Sequence, residues 1–152
     1  MTTKTYSIDI SAEASKVYNI MLGLEDKKTY QSWTASFNPT STFEGSWEKG
    51  SKIFFLGTDD QGNTSGMLSK IAENIPNKFV SIEHCGIIEN DQEITQGPEV
   101  EQWAGSKENY TYTQNNGLTR VTVEIDTNEK YIDHFDDTWP KALNKLKELS
   151  ES

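Results

Sequence analysis

Hydrophobic positions along this chain recur with two periods, and the switch between them divides it into a helical start, an extended middle and a helical end. After a first strand at about Thr5 to Ile10, Ser11 offers a helix cap. Ala14, Val17, Tyr18, Met21 and Leu22 then follow at one-face helical spacing until Gly23. A second short helix is expected from Glu25 to Trp33, with Tyr30 and Trp33 on one side. From residue 41 the character changes to β-type segments at 41–46, 51–58, 66–75, 78–89, 100–114 and 118–126. Gly50, the stretches 59–63 and 76–77, and 115–117 carry the turn residues of hairpins, so an antiparallel meander follows. The tail returns to helical spacing through Ile132, Phe135, Trp139, Leu143, Leu146 and Leu149, with Pro140 starting its last segment or kinking it.

These elements bury their apolar faces together most simply as an α+β fold, with a curved sheet of six to seven strands wrapped around the long last helix. No repeat, linker or low-complexity tract interrupts residues 1–152, which read as one domain. A formal charge of −10 argues against nucleic acid and anionic membrane surfaces. No apolar run reaches the length of about 20 residues needed to span a bilayer. The single cysteine, Cys85, excludes an internal disulfide; with no secretory leader in the opening residues, a cytoplasmic monomer is expected. No phosphate-binding glycine loop, dinucleotide fingerprint or metal-ligand motif is present, so neither cofactor nor metal is expected. The turn at 57–63 is oxygen-rich but lacks the spacing of a calcium loop. His134, Asp136 and Asp137 read as capping and surface charge.

One stretch breaks the expected pattern. Residues 78–88 alternate like a half-buried strand, yet the apolar phase Val80, Ile82, His84, Gly86, Ile88 contains a histidine. An inward imidazole either orients a ligand, acts as acid or base near neutral pH, or is a core histidine satisfied by a neighbour; all three readings stay open. Glu108, Tyr110 and Tyr112 share a phase on a later strand, facing the apolar phase of Val121, Val123 and Ile125. Tyrosines there serve as pocket walls with a hydroxyl, or as ordinary filling. Glu108 is either a functional carboxylate or a solvated strand end. Met67 and Ile71 are placed inward and Lys70 outward. Phe54, Phe55 and Leu56 imply a strand buried on both faces. Trp139 falls on the core side of the last helix, while Trp47 and Trp103 lie on or beside loops. The acidic stretch 89–101 reads as a long loop, a lid over a cavity entrance or merely a solvated segment.

The order of these features resembles the helix-grip fold of the START-like (SRPBCC, Bet v 1-like) superfamily, and within it the AHSA1-like family, relatives of the C-terminal domain of the Hsp90 ATPase activator. The resemblance covers nearly the whole chain. It rests on Ile10 to Ala12 leading into the helix of Val17 and Tyr18, Trp47 to Ser51, Gly66 and Met67, Ile75 and Pro76 before Ile82 to His84, Glu108 to Tyr110, and Trp139 to Leu143 with Leu146 and Lys147. It implies a cavity between sheet and last helix that binds apolar small molecules, lined here by Met67, Ile71, Val80, Ile82, His84, Tyr110, Tyr112, Val121, Val123, Phe135, Trp139 and Leu143. Three functions stay in view: a binder of a hydrophobic or aromatic molecule, a cyclase- or hydratase-like enzyme using His84 and a tyrosine, and a co-chaperone module. Docking on Hsp90 is disfavoured by the acidic charge and by the absence of room for a further domain.

Overall fold

The computed structural model describes residues 1–152, and outside 89–106 its helices and strands fall where the two hydrophobic periods place them. Strand β1 (Thr2–Ile10) leads into helices α1 (Ala14–Leu22) and α2 (Lys27–Thr34). Strands β2 (Thr42–Gly45), β3 (Lys52–Thr58), β4 (Thr64–Ile75) and β5 (Phe79–Glu89) follow as successive antiparallel hairpins. After β6 (Gln92–Ile94) and the single turn α3 (Pro98–Glu101) come β7 (Lys107–Asn115), β8 (Leu118–Thr127) and helix α4 (Ile132–Glu151). One antiparallel sheet runs β1-β8-β7-β5-β4-β3-β2, with β6 added beside β5. Its inner face packs on α1, α2 and α4, the helix-grip arrangement, through a core of 23 buried residues. No helix is long and apolar enough to cross a membrane.

Local chemistry explains most boundaries. Gly23 ends α1 in the left-handed conformation, and Asp26 caps α2 by accepting from the Lys28 N–H, so α2 starts two residues later than its apolar pattern suggested. Ser11 is not the cap of α1. Glu13 holds that position without a side-chain bond, and the Ala14 N–H, which has no partner within the helix, is answered from β7, where the Gln114 Oε1 lies 2.7 Å away. This cap ties the first helix to a strand 100 residues later. Gln114→Ala should therefore lower stability by about 1 kcal/mol in urea unfolding, as loss of an ordinary cap does; no change would mean that water replaces it.

Pro140 does not begin the last helical segment: it lies inside α4, which continues on both sides of it. Two expectations for 89–106 are corrected together. Residues 92–94 pair with β5, residues 98–101 form a helical turn, and the next strand starts only at Lys107. The acidic stretch is thus an added strand and a turn packed beside β5 rather than an open loop, and the sheet has eight strands. Trp47 is buried among Tyr30, Phe43 and Phe55, whereas Trp103 is half-buried after α3. Asp136 caps nothing: it accepts from the Tyr6 hydroxyl and pairs with Lys4.

Two irregularities between β4 and β5 shape the inner face. Ser69 pairs with His84 and Leu68 with Gly86, so Cys85 is the unpaired residue of a bulge. Beyond it the alternation reverses. Val80, Ile82 and His84 face the helices, but Gly86 and Ile88 turn outward with Leu68, and Ile87 joins Met67 and Phe55 inside. A second bulge leaves Ala72 unpaired and brings Asn74 inward, where it accepts from the Tyr18 hydroxyl and donates to the Trp47 carbonyl.

Candidate functional site

His84 sits where the edge of β5 passes from one partner strand to another. β7 pairs with Phe79 to Glu83 and β6 with Ile87 to Glu89. At the junction the His84 N–H donates to the Ser106 carbonyl and the Gly105 N–H donates to the His84 carbonyl, each at 2.9 Å. The backbone is therefore held on the β7 edge as well, opposite the edge where the bulge interrupts the pairing with β4.

Its ring joins a chain of polar groups on an otherwise apolar surface. Nδ1 lies 2.8 Å from Ser69 Oγ on β4, and Nε2 lies 3.3 Å from Glu108 Oε1 on β7. The Tyr110 hydroxyl donates to the other carboxylate oxygen of Glu108. An ionised carboxylate only accepts, so Nε2 carries the hydrogen given to Glu108; in the neutral ring Nδ1 then accepts from the Ser69 hydroxyl. Glu108 pairs across the sheet with Ile82 on one side and Ile125 on the other, both buried. Its nearest counter-group is an imidazole rather than a lysine or arginine. The His84 and Glu108 side chains retain 12% and 22% exposure, so solvent reaches this end of the inner face.

The surrounding tyrosines are held as neutral hydroxyls. Burial, and then the Glu108 charge, push Tyr30 and Tyr110 far above the usual phenol range; burial does the same to Tyr112, whose hydroxyl meets the Met21 sulfur. Tyr110 and Tyr112 donate, to Glu108 and to the Met21 sulfur, and none of the three is held as a base. Ser69 is buried too, which keeps a Ser-His-Glu resemblance from being a nucleophile site: the residue is closed off from solvent. Cys85 is half-buried, hydrogen-bonded to the Glu83 carbonyl, and burial raises its thiol, so it is no activated nucleophile either. No group of three or more His, Cys, Asp or Glu side chains is placed to hold a metal.

Of the twelve residues assigned to a cavity, Ile71, Val80, Ile82, Tyr110, Tyr112, Val121, Val123, Trp139 and Leu143 are buried in the core cluster. Met67, His84 and Phe135 are half-buried. All lie on the inward phase of the sheet or of α4. Two hollows, of about 390 and 490 Å³, lie elsewhere, one beside Tyr18, Leu24 and Asn74 and one between α2 and α4, and none of the twelve lines either. Inside the aromatic core the indole N–H groups of Trp47 and Trp139 are buried without an acceptor. Tyr30, Trp33 and Phe37, which the sequence did not mark for the site, pack around these rings.

No protein-family model matches the chain, and no curated protein does. Solved structures match it over its whole length. The Aha1 dimer from Colwellia psychrerythraea is 23% identical, with a TM-score of 0.71, covering 99% of this chain and 97% of that one. A protein from Mesorhizobium loti is 15% identical, with a TM-score of 0.69, covering 97% of this chain and 96% of its own. One from Cytophaga hutchinsonii is 18% identical at 0.69, covering 98% and 93%. These likenesses establish the fold.

Proposed function

We propose that the chain is an AHSA1-like, START-like domain that binds a hydrophobic or aromatic small molecule on the inner face of its sheet, at the end where His84 and Glu108 meet solvent. The observation that carries this reading is the chain Ser69–His84–Glu108–Tyr110, set among buried isoleucines and aromatics and still reached by water. A carboxylate placed there lowers stability unless something answers it, and such costly polar groups concentrate at binding sites. The orphaned indole N–H groups of Trp47 and Trp139 add two donors for a guest to satisfy.

Proton-transfer catalysis is the weaker reading. Both imidazole nitrogens are engaged within the fold, which leaves none to take a substrate proton, and the tyrosines are held far from neutral titration. A co-chaperone role rests on likeness to Aha1 alone, and the dimer described for the Colwellia protein makes a second copy an outcome to test.

Native mass spectrometry of the purified protein reads bound mass and subunit count together. A monomer carrying an apolar small molecule is expected, and ligand added at about 100 times its Kd should stabilise the protein by about 2.7 kcal/mol. An empty protein whose His84 and Tyr110 resonances respond to no apolar or aromatic compound would reject the proposal.

A further inference from the structure

The geometry points to a particular polar end for the guest: an amine or hydroxyl on an aromatic or aliphatic body, and not a fatty acid or other carboxylate. This rests on the binding reading above and specifies its chemistry.

The donors of the polar chain are already spent on one another. Tyr110 O–H and His84 Nε2–H both go to Glu108, and Ser69 O–H goes to His84 Nδ1. A carboxylate has about four lone-pair sites, so two of those on Glu108 stay free. What the cluster still offers is acceptors. A guest that meets it must donate.

Charge decides further. Lys4 is the one cation in the inward phase of the strands, facing Ile125, and Asp136 holds it at 3.3 Å. Arg120 is paired with Asp9 and Lys107 with Glu83. A guest carboxylate would enter with no cation to receive it, beside Glu108 and in a protein of net charge −10. The two orphaned indole N–H groups do not change this, because a single neutral donor satisfies a hydroxyl or ether oxygen but does not offset the desolvation of an ion. An ammonium group, by contrast, neutralises Glu108 and meets aromatic rings. Phe55 lies 6.5 Å from the His84 ring, and Tyr30 and Trp47 pack on Phe55 at 6.3 and 5.6 Å between ring centroids.

Three compounds sharing one ring system test this: tryptamine, tryptophol and indole-3-acetate, each titrated by calorimetry, with His84 and Tyr110 followed by NMR. The amine and the alcohol should bind and the carboxylate should not. Glu108→Gln should weaken tryptamine about tenfold or more and tryptophol only severalfold, while melting no lower than the parent protein. Indole-3-acetate binding as tightly as tryptamine would overturn the inference and leave the binding reading intact, as would tryptamine affinity unchanged within twofold by Glu108→Gln. If none of the three moves the His84 or Tyr110 signals, the inference falls, and the binding reading falls with it when no other apolar or aromatic compound moves them either.

Discussion

Trp33→Ala is expected to remove most of the net stability. Trp33 is 1% exposed and joins four elements. From α2 its ring meets Tyr30 on the same helix, Tyr110 on β7 and Trp139 on α4, and its indole N–H donates to the Met21 carbonyl at 2.8 Å. That carbonyl lies in the last turn of α1, where no further helical N–H is available, so the tryptophan serves as packing and as cap together. Truncating a buried aromatic costs about 3–5 kcal/mol, and leaving the carbonyl unpaired adds about 1 more. Against a typical net stability of about 5–15 kcal/mol, this leaves little. Urea unfolding should show a large fall in midpoint, or no folded baseline at all, with Trp33→Phe in between. A loss below about 1 kcal/mol would mean that the helices and the sheet are not held together through this side chain.

Sequence periodicity located both helical ends and the hairpins because those signals are local. The α1 face, Gly23, the 115–117 turn and the long face of α4 each declare themselves within a dozen residues. The strand at 92–94 did not, because only Ile94 is apolar and its pairing with Ile87 is set by the neighbouring strand. The reversal of phase beyond His84 was equally hidden. A bulge at Cys85 is a property of the β4–β5 pair and leaves no mark on β5 alone. The same limit applies to the site. Alternation places His84 inward, but Ser69 and Glu108 lie 15 and 24 residues away, and only the registers of two strand pairs bring them to opposite nitrogens of one ring. Glu108 read from sequence is either a functional carboxylate or a solvated strand end; the registers place it between Ile82 and Ile125, where its partners are the His84 ring and the Tyr110 hydroxyl.

Those registers depend on a close backbone approach, so Gly66→Ala is the second substitution with a large expected effect. A Cβ at Gly66 would lie far inside van der Waals contact with the Phe55 carbonyl oxygen and 3.0 Å from Leu56 Cα. Both are backbone atoms of β3, which cannot rotate away as a side chain tip does. The strands would have to separate where Leu56 pairs with Gly66 and Phe55 with Met67. Phe55 would then move away from Tyr30, Trp47 and the His84 ring, so the damage reaches the polar chain as well as the sheet. Gly62 supplies the control. Its φ of +80° is also unfavourable for an L-residue, yet nothing lies within 4 Å of the added methyl. Gly62→Ala should cost about 1–2 kcal/mol, the conformational penalty alone. Gly66→Ala should exceed about 3 kcal/mol, in the range reached only when a core or backbone contact is broken, and should shift the His84 resonances. Equal losses at the two positions would show that the β3–β4 pair has room to give. The bend that brings Ser69, His84 and Glu108 together would then have to be maintained by the helices.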